Sequence, residues 1–432
     1  METMKRSISQ SQALLGRARA TIPCQTQCLS KGPTQFVQGV APVYLQRGEG
    51  SHVWDVDGNE YIDFMSALGP ICLGYNYPRT NDAIRRQLED GTTFSLMHPL
   101  EVEVAELLTE VIPCAEMVRF GKNGSDVTSA AVRIARAYTG REHIAQWGYH
   151  GWHDWYAVTT GRNKGIPQRF AELIHPFVYN QIDSLEKIFQ QYPQDLAAVI
   201  MEPVGLSAPQ DNFLQQVKDL CERYGALLIF DEVITGFRWA LGGAQEYYQV
   251  IPDLACFGKS MANGMPLSAV VGRRDVMIAA EEVFFSLTFG GECLSLAAAL
   301  ATISEIREKG VIEYIWQQGQ VLQQGLNKVS QEYGLSDKIR CIGYPVRSVV
   351  QFEDGRNNTS LVLKSLFQQE VIKRGVLFAG YHNMSFSHTD ADIQQTLEAY
   401  EHALQYIRGA IRRGHLEDAL EGPVVQNVFR PT

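Results

Sequence analysis

The 432-residue chain has no run of 18 or more apolar residues, so no segment is long enough to cross a bilayer as a helix. Its apolar runs are short, and two of them, Leu196 to Met201 and Gly225 to Phe230, are each closed by a carboxylate. Cationic surplus is also missing. Lys and Arg total 38 against 48 Asp and Glu, and the net charge of -10 opposes attraction to phosphate backbones or anionic lipid. No local basic patch offsets it, so neither nucleic acid nor a membrane is expected as a partner. The first 20 residues carry Lys5, Arg6, Arg17 and Arg19 but lack the central apolar block of a secretory signal. The eight cysteines (24, 28, 72, 114, 221, 256, 293, 341) lack paired metal-type spacing, and the one close pair is Cys24 and Cys28. They read as buried or free thiols of a reducing, cytoplasmic compartment, and no metal is expected. Internal repeats and low-complexity tracts are absent as well.

What remains is an ordinary globular composition, 45% hydrophobic and 20% charged, able to bury a large core divided among two to three domains. His52 to Phe64 reads as a β-hairpin, with apolar-alternating runs on either side of the turn pair Asp57-Gly58. From about residue 98, helical periodicity alternates with short apolar runs, the pattern of an α/β layer domain. Ala197 to Met201 and Ala226 to Phe230 are continuously apolar, as in parallel strands covered on both faces. The expected division is an N-terminal extension (1–30), an N-terminal part of a small domain with a linking segment (31–97), a large domain (98–312), a C-terminal small domain (313–415) and a tail (416–432).

Four local features carry chemistry. The turn Phe120-Gly121-Lys122-Asn123-Gly124-Ser125-Asp126 leaves a strand and enters a helix, where unpaired N–H groups and the positive end of the helix dipole suit a phosphate. The same residues also make a plain helix cap. Trp147 to Tyr156 is dense in aromatics just past a strand end, suited to stacking on a planar ligand or to core and interface packing. His150 and His153 within it are too close together in one loop to suggest a metal site. The strand Leu227 to Phe230 ends in Asp231-Glu232, and a carboxylate at such a tip is costly unless something positive faces it. A protonated ring nitrogen at about 4 Å supplies roughly 4 kcal/mol at an effective dielectric near 20; a metal ion or a helix N-terminus would also serve. Lys259 lies between an apolar run and a Gly, Asn and Pro-rich loop, where a desolvated amine becomes nucleophilic, although an isolated lysine more often snorkels to solvent.

In combination, a phosphate turn, a stacking ring, a strand-end acid and a partly buried lysine at successive strand tips are the requirements of pyridoxal 5'-phosphate. The chain resembles the class III, fold type I aminotransferases over residues 32 to 408, and within them the branch of glutamate-1-semialdehyde 2,1-aminomutase. The resemblance rests on Val53-Trp54-Asp55-Val56-Asp57-Gly58-Asn59, Ala135 to Arg141, Phe230 to Val233 with Thr235-Gly236-Phe237-Arg238, Ala240 to Gln245 and Pro252 to Asp275. It implies a mainly parallel, seven-stranded sheet in a large domain, with a smaller α+β domain built from both termini. It further implies a Lys259 Schiff base that shuttles a proton and Asp231 on the pyridine nitrogen. Val233 and Tyr149 then cover the two ring faces, and Asn123, Gly124 and Ser125 hold the phosphate. Thr288 is expected to reach the phosphate of the neighbouring subunit in a homodimer.

Departures from the pattern bear on the substrate. The aminomutases carry an arginine near Thr34 or Gln35 that pairs with the substrate carboxylate, whereas this chain has Pro33-Thr34-Gln35-Phe36. The segment Phe378 to Ser385 lacks their acidic residue, and Glu202-Pro203-Val204 is followed by Gly205 instead of Asn. The reading is therefore transamination between a donor amine and a keto or aldehyde acceptor, a keto sugar or a biosynthetic intermediate among them. Trp152, Tyr381, His382 and Glu202 are the candidate substrate residues. An aminomutase, a decarboxylase or racemase on the same scaffold, and a non-catalytic scaffold are the alternatives.

Overall fold

The computed structural model describes residues 6–356, 358–414 and 416–426. Two compact units divide the chain: one holds the segments up to Leu68, Cys72–Tyr77 and the chain from Glu313 onward, the other Gly69–Ile71 and Pro78–Ile312.

The larger unit is built on a seven-stranded sheet. Its order is Met117–Gly121, Ser268–Gly272, Leu254–Phe257, Leu227–Asp231, Leu196–Met201, His143–Trp147, Ile174–Pro176. Ser268–Gly272 runs antiparallel to both its neighbours and the remaining pairs are parallel. Parallel strands need crossovers that cover both faces, which is why Leu196–Met201 and Leu227–Asp231 are buried at every position. The helix Gly124–Thr139 lays Val127, Ala130, Ala131 and Ile134 against Ile200, Ile229 and Cys256 in one apolar core. Its alanines permit close approach to the sheet, and Gly140 at φ 68 ends it in the left-handed region.

The helix Pro78–Asp90 belongs to this unit; the sequence division has it within 31–97, the segment that holds the N-terminal part of the small domain and the linking segment. It packs along Cys293–Lys309, with Thr80 Oγ1 3.3 Å from Thr302 Oγ1 and Arg79 paired to Glu305 at 2.6 Å.

The smaller unit carries a four-stranded sheet of Leu45–Glu49, His52–Asp55, Glu60–Asp63 and Val376–Leu377, and an antiparallel three-stranded sheet of Ile339–Tyr344, Arg347–Phe352 and Tyr381–Asn383. The hairpin closes at Gly58, φ +88, with Asp55 Oδ1 accepting the N–H groups of Asp57 and Asn59. Neither terminus is a loose appendage among the described residues. The helix Ser9–Thr21 is anchored where Asp57 accepts the N–H groups of Gln10 and Ser11 at 2.8 and 3.0 Å, and it buries Leu15 and Ala18. Residues 416–426, expected as part of a tail, are stitched in by Glu421 N to Gln369, Val425 N to Ser365 Oγ and Gln426 N to the Thr34 carbonyl.

Two helical glycines in this unit have opposite surroundings. A Cβ on Gly319 would lie 1.9 Å from the Pro345 carbonyl oxygen, whereas one on Gly16 meets nothing within 4 Å. Gly16→Ala is expected to stabilise the chain by about 0.5–1 kcal/mol. Gly319→Ala is expected to destabilise it by about 1–3 kcal/mol despite the same gain in helix propensity. Thermal unfolding of the two variants checks the opposite signs.

Candidate active site

Parallel pairing brings the carboxyl ends of His143–Trp147, Leu196–Met201, Leu227–Asp231 and Leu254–Phe257 to one edge of the larger unit, and two successive antiparallel pairs through Ser268–Gly272 give Met117–Gly121 the same direction. The cofactor residues expected from the sequence lie on or follow those tips, apart from Thr288, which comes after the helical segments Arg274–Met277 and Ile278–Glu281. The tip of the first strand turns into Gly124–Thr139, and the Asp126 carboxylate accepts the N–H groups of Lys122 and Asn123 at 3.0 and 2.7 Å. That cap shapes the turn and leaves the amides of the first helical residues available for an anion. Ser125 is buried. Its Oγ accepts the Trp152 N–H at 3.2 Å, and a Cβ on Gly151, φ +102, would strike it at 2.2 Å.

The second tip carries Gly148-Tyr149-His150. Glu202, at the next strand end, accepts the Tyr149 N–H at 2.9 Å, and Gly148 sits so close that a Cβ would lie 2.6 Å from Glu202 Oε2. Tyr149 is 48% exposed and meets Tyr156 edge-on at 5.6 Å. Burial pushes the Tyr156 hydroxyl well above its ordinary range, so it stays a neutral donor to the Gly148 carbonyl at 3.0 Å.

The centre of the site is Asp231, 4% exposed. Its Oδ1 accepts the Val233 N–H at 3.1 Å, and its Oδ2 lies 2.8 Å from Nδ1 of the enclosed His150. The other ring nitrogen, Nε2, lies 3.0 Å from the Trp147 carbonyl oxygen. A carbonyl only accepts, so in the Nε2 contact the imidazole is the donor. Read from sequence, His150 is only a doubtful metal ligand; its bond to a carboxylate 81 positions later is created by the pairing of strands.

Val233 is wedged between two backbone segments: a Cβ on Gly124 would meet it at 3.2 Å and one on Gly258 at 3.6 Å. Lys259 follows at φ 36, a left-handed conformation that costs a non-glycine residue about 1–3 kcal/mol and persists where the surroundings impose it. Beside it, fully buried Arg238 donates to the Gly69 carbonyl at 2.7 Å and lies 3.2 Å from Ser260 Oγ. Thr288 is exposed on a loop that ends at Glu292, which caps Cys293–Lys309 and pairs with Lys122 of the phosphate turn at 3.0 Å.

A phosphate-bearing planar cofactor fits these residues. The Gly124 backbone lies close against Val233, amides crown a helix start, and a buried carboxylate is met by His150. Residues 36–404 match the family model for aminotransferase class-III. The chain belongs to the class-III aminotransferases. It is 36% identical over 414 residues to a 3-aminobutyryl-CoA aminotransferase of Cloacimonas acidaminovorans, covering 94% of this chain and 99% of that protein. It is also 36% identical over 389 residues to a glutamate-1-semialdehyde 2,1-aminomutase of Desulforamulus reducens, covering 84% and 90%. Among solved structures, the FumI protein of Sphingopyxis sp. MTA144 superposes with a TM-score of 0.88 at 30% identity, covering 96% and 99% of the two chains. An omega-transaminase of Sphaerobacter thermophilus gives 0.84 at 27%, covering 94% and 99%.

This class-III aminotransferase therefore has the fold type I architecture and uses pyridoxal 5'-phosphate to move an amino group between a donor amine and a carbonyl acceptor. Two of the expected substrate residues are placed differently by the structure. His382 is fully buried, with Nδ1 2.8 Å from Ser348 Oγ and Nε2 2.7 Å from Tyr400 Oη, so both ring nitrogens are spent inside the smaller unit and it is corrected to a core residue. Burial lowers its pKa to about 3, which keeps it neutral there. The Glu202 carboxylate is engaged in holding the Tyr149 turn. Tyr381 is partly buried in the smaller unit, and Trp152 stands 70% exposed in the larger one.

Glu232, next to Asp231, is wholly enclosed and accepts from the Ala244 and Gln245 N–H groups at 2.7 and 2.8 Å and from the Thr235 hydroxyl. Burial outweighs these donors and pushes its carboxyl up to about 7. Between its ordinary 4.5 and that value the folded chain binds more protons than the unfolded one, so stability falls as pH rises through this window. Glu232→Gln is expected to flatten that slope, measured as the denaturation midpoint at pH 5 and pH 8; an unchanged slope refutes the assignment.

Proposed function

We propose that the enzyme exchanges the amino group of a β-amino acyl compound, of the 3-aminoacyl thioester type, with a keto or aldehyde partner. The observation that carries this reading is the segment Pro33-Thr34-Gln35-Phe36, which offers no cation to a free α-carboxylate. The near full-length likeness to a 3-aminobutyryl-CoA aminotransferase supports it.

In this reading Lys259 would hold the cofactor through its Nζ, and the same amine, when free, would accept and return the proton at the donor carbon. The Asp231–His150 pair holds positive charge at the pyridine nitrogen, Val233 and Tyr149 cover the ring faces, and Asn123, Gly124 and Ser125 bind the phosphate. The bound cofactor supplies an electron sink for the carbanion left when that proton departs. Proton transfer by a positioned amine contributes about 100-fold to 10,000-fold. Glu202 orients the Tyr149 turn, and Trp152 faces the substrate.

We also place the enzyme in a homodimer through the exposed loop holding Thr288, whose flanking Phe284 is 86% and Phe289 58% exposed. Light scattering on the purified chain is expected to give twice the 48.3 kDa chain mass; a monomer that binds cofactor at full occupancy contradicts this.

The visible spectrum of the holoenzyme tests the chemistry. A yellow band is expected to bleach on adding 3-aminobutyryl thioesters and to persist with glutamate or amino sugars. Lys259→Ala is expected to lose the covalent band and at least 100-fold in half-reaction rate. Bleaching by α-amino acids or amino sugars alone, with no response to the thioesters, excludes the proposed substrate class.

A further inference from the structure

A cavity of about 420 Å³ opens in the larger unit, lined by Arg133 and Arg136 of the helix Gly124–Thr139 and by Trp152, His153, Trp155 and Phe170. Its walls are prearranged. Ser129 Oγ lies 2.7 Å from His153 Nδ1 and accepts the Trp155 indole N–H at 2.9 Å, which fixes both rings against the helix. Leu173 and buried Ile174 add an apolar surface. Among the described residues neither guanidinium is in an ion pair. Arg133 donates to the Phe284 carbonyl at 2.9 Å and Arg136 Nε to the Glu142 carbonyl at 2.8 Å. Arg136 is half-buried, and burial depresses its pKa against the opposing pull of the nearby Glu142 charge. Asp154 also lines the cavity but is exposed and contacts neither arginine within ion-pairing distance.

Two guanidiniums beside fixed aromatic faces match one ligand chemistry, a phosphate anion attached to a planar base. One lining residue also touches the turn ahead of the helix: the Trp152 N–H donates to Ser125 Oγ at 3.2 Å. Arg133 lies nine residues beyond Gly124 along one helix, about 13.5 Å at 1.5 Å per residue, a span for a long flexible arm. We propose that this cavity holds the nucleotide phosphate carried by the amino-acyl substrate, anchoring it while its far end reacts at Lys259. The choice of a thioester rests on the function proposed above. A nucleotide sugar would present the same phosphate and base, and the test separates the two sources.

The test uses the holoenzyme and two free handles, adenosine 3',5'-bisphosphate and uridine diphosphate, followed by tryptophan fluorescence. Saturable quenching by the adenosine bisphosphate is expected, weakened at least 10-fold in Arg133→Ala/Arg136→Ala. Because Arg136 is half-buried, the exposed single variant Arg133→Glu provides a second, fold-sparing version. In turnover, both variants should raise KM for 3-aminobutyryl-CoA at least 10-fold relative to the N-acetylcysteamine thioester of the same acid, with kcat little changed. Quenching by uridine diphosphate alone keeps the cavity as a nucleotide site and excludes the thioester. Arginine-dependent quenching by the adenosine bisphosphate, without turnover of either thioester, supports the cavity and excludes the proposed reaction. Absence of quenching by both handles, or a KM that rises equally for the two thioesters, overturns the inference.

Discussion

A carboxylate at the end of an otherwise apolar strand is the constraint around which this enzyme is arranged. Leu227–Asp231 is buried at all five positions, so Asp231 enters a region where an isolated negative charge costs several kcal/mol. His150 answers that cost from beyond the end of His143–Trp147, two strands away, held by the Trp147 carbonyl on its far nitrogen. The two oxygens of Asp231 are then divided. Oδ2 faces the imidazole and Oδ1 accepts the Val233 N–H, so the carboxylate and Val233 are set by the same contact. A cofactor ring nitrogen meeting Asp231 would join a pair whose position is already decided.

Around that pair the backbone does much of the shaping. Gly148 and Gly151 stand where a Cβ would collide with Glu202 and Ser125, and Gly243, φ +88, is packed 2.5 Å from Glu232 by the same measure. These close approaches let acids and hydroxyls brace loops instead of projecting into the site. Lys259 holds a left-handed conformation beside a buried Arg238 anchored to Gly69 and Ser260. The left-handed backbone at Lys259 persists beside a turn pinned through Arg238 on its other side.

The specificity question moves away from the residues next to the cofactor. His382 is consumed by the smaller unit's core and Glu202 by the Tyr149 turn, which leaves Trp152 as the expected substrate residue in the larger unit with an exposed ring. It stands on the rim of the arginine-lined cavity, so the feature first noted as a cluster of aromatics leads to a second region beyond the cofactor.

The amino-acid sequence by itself determined the element types, the α/β layering, the hairpin at Asp57-Gly58 and the positions of Asp231 and Lys259. Each is a local matter: periodicity, turn chemistry and an acid or lysine at the end of an apolar run are written within a few residues. Antiparallel insertion of Ser268–Gly272, the attachment of Ser9–Thr21 through Asp57, the incorporation of residues 416–426 and the His150–Asp231 bond were decided only by tertiary structure. Those contacts join residues 12 to 392 positions apart, and no local pattern carries the register that brings them together. The apolar strands made a parallel sheet expected, but only their packed order puts an imidazole behind a carboxylate and two unpaired guanidiniums beside a tryptophan.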